Sequence, residues 1–246
     1  APQSGQRTVH GTLTEAVRQV SGEEIETTGA SRTDSGAHAK GQVCHFDTTR
    51  PIRLENWKRA LNDLLPRDLA VVGAQWVNKE FHSRFWALDR WYRYRILTGT
   101  LDPNRTRYTF PYCRTLNTDL MNQAAQKLVG THDFLAFTQL IKPGTNTRRT
   151  VFSIKVRQVR DEVWIDVVAN AYARGMMRRI SGALWEIGRG SREPEMIDVL
   201  LEQREKNKVH WPTVLPATGL TLMKVRYGRS PSCQQLSDNF NPSQRA

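Results

Sequence analysis

Cysteine is scarce in this 246-residue chain: Cys44, Cys113 and Cys233 stand far apart and form no Cys-x-x-Cys pair. An odd, widely spaced set makes no disulfide framework and fits a reducing compartment. Metal-ligand spacing is lacking too. Cys44 and His45 are adjacent, without chelating separation, and the six histidines form no His-Glu-x-x-His pattern. Nor is there a Gly-x-x-x-x-Gly-Lys-Ser/Thr loop to cradle phosphates. The chemistry is therefore expected to use neither a bound nucleotide nor a metal, and no cofactor is assigned. No apolar run approaches the roughly 20 residues that a spanning helix needs, and no apolar block follows a basic start as in a secretory signal. The expected location is intracellular, in cytoplasm or an organelle matrix (mitochondrion or plastid). With 39% hydrophobic residues, the length still suffices for one large or two modest domains with a core.

Acid is in deficit as well. There are 24 Asp+Glu against 36 Lys+Arg, so the formal charge is +12, and arginine supplies most of the positive side. A guanidinium fork makes paired hydrogen bonds to phosphate and stacks on bases, which an ammonium does not. A polyanion, nucleic acid first, is the expected partner. A membrane surface fits less well, because the basic residues are spread through apolar-patterned segments.

Leu13, Ala16, Val17 and Val20 recur at helical spacing and stop at Ser21-Gly22. Strands are expected at Glu24 to Ala30 and Gln42 to Asp47, with a loop at Ser31 to Lys40 between them. A helix over Arg53 to Leu65 and strands over Leu69 to Val77 and Trp91 to Leu97 follow. Asn117 to Val129 reads as an amphipathic helix with Asn117 as N-cap and Gly130 closing it. Thr145 to Arg149 reads as a basic loop. Val151 to Val159 and Val163 to Ala169 alternate around Arg160-Asp161-Glu162, as in an antiparallel hairpin. Helices over Arg174 to Ile187 and from Pro194 to about Arg204 precede a last strand, Leu220 to Tyr227. Strands and helices mixed without regular βαβ alternation imply an α+β protein. From Gly228 the composition turns to Ser, Pro, Gln and Asn, so 228–246 is expected to be a disordered tail. The boundary between two halves falls near Asn78 to Trp86, giving 1–85 and 86–227.

The most informative segment is Gly29-Ala30-Ser31-Arg32-Thr33-Asp34-Ser35-Gly36-Ala37-His38-Ala39-Lys40-Gly41-Gln42. It sets one carboxylate near Arg32, whose charge favours the ionised form, and beside a glycine that lets a planar substrate approach the backbone. Asp34-Ser35-Gly36 also matches the triplet of aspartic proteases. Those enzymes need two carboxylates sharing a proton, and no second triplet occurs here. Taken alone, Asp-Ser-Gly at a strand end is an ordinary turn.

Taken together with other segments it is more. Arg32-Thr33-Asp34-Ser35-Gly36-Ala37-His38-Ala39 followed by Gly41-Gln42-Val43 resembles the signature of the TruA-type tRNA pseudouridine synthases. Further blocks resemble that family in the same order: Phe81-His82-Ser83-Arg84-Phe85, Arg90-Trp91-Tyr92-Arg93-Tyr94, Asn170-Ala171-Tyr172 with Met176 to Gly182, and Gly219-Leu220-Thr221-Leu222. The resemblance runs from about Thr8 to Tyr227. Ala37 stands where Val is usual. The family usually opens with a strand and a Tyr-Asp-Gly segment, and nothing like it precedes Thr8, so the chain is expected to be short of that strand.

The resemblance implies two similar α/β halves with mixed, mainly antiparallel sheets around a central RNA-binding cleft. It implies isomerisation of uridine to pseudouridine in RNA, with the anticodon arm of tRNA as the expected substrate. Asp34 would be the essential carboxylate, Tyr92 would stack on the flipped uracil, and Arg178 would pair with Asp34 and keep it charged. Arg32 would fill the space of the flipped base or hold a phosphate. His82, Arg84, Arg93, Arg148, Arg149 and Arg174, with Lys142, are candidates for substrate contact. His38 is expected to be a hydrogen-bonding loop residue. A homodimer is expected from bacterial relatives. The alternative function is an RNA-binding assembly factor of a ribonucleoprotein particle with little or no turnover.

Overall fold

A computed structural model describes residues 5–139, 144–202 and 212–228. Along the chain the elements are α1 (Val9–Ser21), β1 (Thr28–Gly29), β2 (His38–Ala39), β3 (Cys44–His45), α2 (Leu54–Leu64) and β4 (Ala87–Leu97). They continue with β5 (Phe110–Pro111), α3 (Thr118–Gln126), β6 (Gly130–Asp133), β7 (Arg148–Val159), β8 (Glu162–Ala169), α4 (Met176–Gly188), α5 (Met196–Glu202) and β9 (Leu220–Tyr227). The expected α+β class, with a mixed and mainly antiparallel sheet, is the one observed. The described residues fall into two compact units, one from 5–32, 43–87 and 227–228, the other from Thr33–Gln42, 88–139, 144–202 and 212–226.

In the first unit, α1 starts where Thr8 accepts the Gly11 amide and ends at Gly22, whose left-handed φ of 67° needs no Cβ to be accommodated. Its apolar stripe joins Ile25, Trp57, Leu61 and Leu65 in a small core. The strands expected on either side of the Asp34 loop shrink to two residues each, pairing Thr28 with His45 and Gly29 with Cys44. Side chains take the backbone groups a longer ladder would use: Arg18 donates to the Ile25 carbonyl at 2.8 Å. The strand expected over Leu69 to Val77 does not form, for a similar reason. The amide side chain of Asn62 bonds both the N–H and the carbonyl of Val71, replacing a strand partner.

The second unit is built on a sheet ordered β2-β9-β4-β8-β7-β6, with β5 beside β4. β2 runs parallel to β9, while β4, β8, β7 and β6 are joined antiparallel. The hairpin turn is Arg160-Asp161 alone, since Glu162 already pairs with Val159, and Arg160 takes φ 54° to close it. β7 begins at Arg148, so Arg148 and Arg149 lie on a strand opposite Asp133 and His132 rather than in a loop. Asn117 caps α3 by accepting the Asp119 and Leu120 amides. That helix ends at Gln126, where i→i+3 bonds tighten Lys127 and Leu128, and Gly130 opens β6 instead of closing the helix. α4 starts at Met176, because Gly175 at φ 73° breaks the chain direction just before it. The expected end of α5 at Arg204, most of the expected tail, and Lys142 lie outside the described residues.

Strand alternation separates two faces of this sheet. Tyr92, Tyr94 and Ile96 of β4 share a face with Val163, Ile165 and Val167 of β8, and all are buried. Trp91, Arg93 and Arg95 point the other way, with Trp164 and Asp166. There Asp166 accepts from Trp91, Arg93 and Arg157 at 2.8 Å each. Burial alone would raise its pKa, but these three donors outweigh it and hold the carboxyl below its ordinary value.

Gly182, inside α4, has no room for a side chain: a Cβ there would sit 1.9 Å from the Thr213 carbonyl oxygen. In an open helix Gly→Ala gains about 1 kcal/mol. Here Gly182→Ala is expected to lose about 1–3 kcal/mol through overpacking, read as a lower thermal midpoint by circular dichroism.

Candidate active site

The Asp34 carboxylate sits on a tight turn in which the Ala37 amide donates to the Asp34 carbonyl at 3.1 Å. Gly36 is third in that turn at φ 83°, a left-handed conformation that favours glycine. Beyond the turn the segment is fastened to β9. His38 and Ala39 pair with Thr221 and Leu222, and the Lys40 and Gly41 amides donate to the Leu222 carbonyl. A Cβ on Gly41 would fall 2.4 Å from the Met223 carbonyl oxygen, so the close approach depends on glycine. His38 bonds the Arg107 carbonyl at 2.7 Å, as a hydrogen-bonding residue was expected to, but from strand β2 rather than from a loop.

Arg178, on α4, meets this turn. Its Nη1 donates to Asp34 Oδ2 at 3.0 Å while its Nε donates to the Leu215 carbonyl at 2.7 Å. The two anchors leave the guanidinium one orientation, and the pair is only partly open to solvent, at 20% for Arg178 and 32% for Asp34. Among the described residues no side chain or backbone amide donates to Asp34 Oδ1. One carboxylate oxygen is thus held by the arginine, and the other has no hydrogen-bond donor among the described residues.

Tyr92 is 4% exposed, and its ring meets that of Tyr172 edge-on at 4.8 Å. Tyr172 is itself fixed by bonds to the Val167 and Arg90 carbonyls, and burial pushes its hydroxyl well above the ordinary tyrosine value. Tyr94, two residues on and on the same face, donates to the Pro216 carbonyl at 2.7 Å. Tyr94 belongs to a family-like block without an assigned role, and Leu215 and Pro216 belong to none. The two acceptors are backbone carbonyls, which carry no sequence signal.

Other expected contact residues go to different places. Arg93 lies on the opposite sheet face from Tyr92, paired with Asp166 and stacked 3.9 Å over Trp164. The period-2 alternation of Tyr92-Arg93-Tyr94 could have revealed that separation. Arg148 and Arg174 are exposed. Arg149 is half-buried, its Nε has no hydrogen-bond partner among the described residues, and burial lowers its pKa. In the first unit Arg32 is exposed, and Arg84 leans over Phe85, itself 75% exposed. His82 accepts the Arg84 and Phe85 amides on Nδ1, closing that loop on itself. Ser83 anchors the loop below. Its hydroxyl donates to the Thr28 carbonyl at 2.8 Å, and its amide donates to Nδ1 of His45. Among the described residues no cluster of His, Cys, Asp and Glu could hold a metal ion, and no helix is long and apolar enough to cross a membrane.

A family model described as tRNA pseudouridine synthase matches residues 1–85 and 124–228. The chain is 37% identical over 226 residues to tRNA pseudouridine synthase A of Brevibacillus brevis, covering 92% of each chain. Identity to the protein of the same name from Moorella thermoacetica is 38%, again over 92% of each. For that of Aliivibrio fischeri it is 39%, over 87% of this chain and 82% of the relative.

Burial lowers the pKa of His45, and the neighbouring His82, ring to ring at 4.9 Å, lowers it further. A folded pKa below the unfolded one contributes stability that is present above about 6.5 and is lost as pH falls through the depressed value. His45 is expected to titrate below about 6.5 by NMR, and His82→Ala to move it part of the way back up.

Proposed function

The chain belongs to the tRNA pseudouridine synthase family, and we propose that its Asp34–Arg178 pair serves uridine isomerisation in the anticodon arm of tRNA. The protein is an isomerase that forms pseudouridine in tRNA. The observation that carries the site assignment is the two-point clamp of Arg178, which ties up Oδ2 of Asp34 and leaves Oδ1 for the substrate. In the reaction the N1–C1′ bond of uridine breaks, the uracil turns, and a C5–C1′ bond forms. A proton leaves C5 and one is taken up at N1, so the product is an isomer and the balance closes without a redox partner.

Each requirement of that chemistry has a residue. Asp34, paired with Arg178, acts at the ribose. Tyr92 packs against the freed uracil, and its burial means that base entry must part the side chains around it. A base must leave its stack to reach such a site, and Arg32 takes the space vacated or the adjoining phosphate. The exposed Arg84, Arg148 and Arg174, with Arg149 and His82, contact the RNA backbone. Arg93, committed to Asp166, contributes indirectly by stiffening β4. The same reading places the protein in cytoplasm or an organelle matrix, supported by the free thiols of Cys44 and Cys113.

A homodimer also belongs to the reading. Its support is the outward sheet face, where Phe152 is 51% exposed beside Trp91, Lys224 and Arg226. Sedimentation is expected to give twice the chain mass, reduced to the chain mass by Phe152→Glu.

For activity, incubation with unmodified tRNA followed by pseudouridine mapping is expected to give product at anticodon-arm uridines. Asp34→Asn is expected to lose it by on the order of 10³-fold or more. Unchanged product from that variant would remove Asp34 from the chemistry. A stable complex with ribosomal RNA and no tRNA product would instead favour a ribonucleoprotein assembly factor.

A further inference from the structure

Ahead of β9 the chain runs through Pro212–Gly219 with little regular structure, yet three of its carbonyls, those of Pro212, Leu215 and Pro216, accept side-chain hydrogen bonds. The Pro212 carbonyl accepts Arg179 Nη1 at 2.9 Å, and the Thr213 hydroxyl bonds the Glu186 carboxylate. The Leu215 carbonyl accepts Arg178 Nε, and the next carbonyl, that of Pro216, accepts the Tyr94 hydroxyl. Ala217 lies under the Asp34 turn, 3.7 Å from where a Cβ on Gly36 would be. Gly219 is pressed against the Tyr94 ring, since a Cβ there would come 2.7 Å from Tyr94 Cζ. The segment is a strap with the helix arginine on one side, the strand tyrosine on another, and the carboxylate turn above.

Two adjacent carbonyls do the essential work. Pro216 has φ −53° set by its ring and ψ 147°, so of the two torsions between the Leu215 and Pro216 peptide planes only ψ is free to turn. Holding the second carbonyl therefore restricts the first to rotation about that one bond, and the first holds Arg178. Tyr94 is fully buried, so its hydroxyl would lose a hydrogen bond outright if Pro216 moved. Burial also pushes that hydroxyl far above its ordinary pKa, which keeps it a neutral donor and unsuited to proton transfer.

We infer that Tyr94 is a positioning residue, whose hydroxyl, through the Pro216 carbonyl, holds the Leu215–Gly219 strap that orients Arg178 against Asp34. The inference rests on the pseudouridine synthase reading above for its activity readout and on geometry for the rest.

The experiment measures single-turnover conversion of a tRNA transcript, RNA affinity, and the Arg178 Nε–H resonance by NMR. Tyr94→Phe keeps the ring against Gly219 and removes the hydrogen bond. It is expected to slow conversion about 10-fold with affinity within about 2-fold and the fold intact by circular dichroism. Arg178→Lys loses the Leu215 anchor directly, so adding Tyr94→Phe to it is expected to cost nothing more. Conversion by Tyr94→Phe at the wild-type rate, or losses that multiply in the double variant, would overturn the proposal. Should Tyr94→Phe not fold, Pro216→Gly at its exposed position carries the same expectation and the same overturning result. Inactive wild-type protein would sink the functional reading alone. The strap would then stand or fall on the Arg178 Nε–H signal, protected from exchange in the wild type and expected to lose protection in Tyr94→Phe or Pro216→Gly.

Discussion

One ion pair organises the larger unit: the Asp34 carboxylate against the Arg178 guanidinium at 3.0 Å. A surface pair of this kind contributes little to stability, because solvent screens it and two side chains must be ordered. Here the ordering is done in advance. Arg178 is fixed by a backbone carbonyl, Asp34 by a glycine-containing turn, and that turn by pairing with β9. The pair thus costs little further entropy to form, and it can spend its geometry on chemistry.

The sheet that supports this centre divides its labour by strand alternation. On one face β4 presents the buried tyrosines Tyr92 and Tyr94 toward the core. On the other, Arg93 and Arg95 are matched to Asp166 and Glu162 on β8 and stacked on Trp164. Carboxylates that accept several charge-assisted hydrogen bonds keep their charge despite burial. The result is a stiff central pair of strands, and the proposed site tyrosine, Tyr92, is better placed on such strands than on a loop.

Elements whose signals are local were legible in the amino-acid order. The apolar period and Gly22 bounded α1, Asn117 capped α3, and the alternation of Val163 to Ala169 gave a strand. What was illegible depended on partners distant in sequence. Asn62 claims the backbone of Val71, and Arg18 claims that of Ile25, so two expected strands shorten or vanish. Gly130, expected to close α3, opens β6, and the helix expected from Arg174 starts only after Gly175, because a positive φ can open a strand or a helix as readily as close one.

For the site, composition gave an arginine-rich charge of +12, and the ordered blocks around Asp34, Tyr92 and Arg178 carried the family resemblance that implied the chemistry. These are properties of side chains, and side chains are written in the sequence. The resemblance implied that Arg178 pairs with Asp34, and tertiary structure supplied the geometry of that pair and the partner of Arg93, which is Asp166 on the other sheet face. Tertiary structure also decided that Leu215 and Pro216 matter, since their contribution is the direction of two carbonyl groups. Every residue has a carbonyl, so only the fold determines where it points.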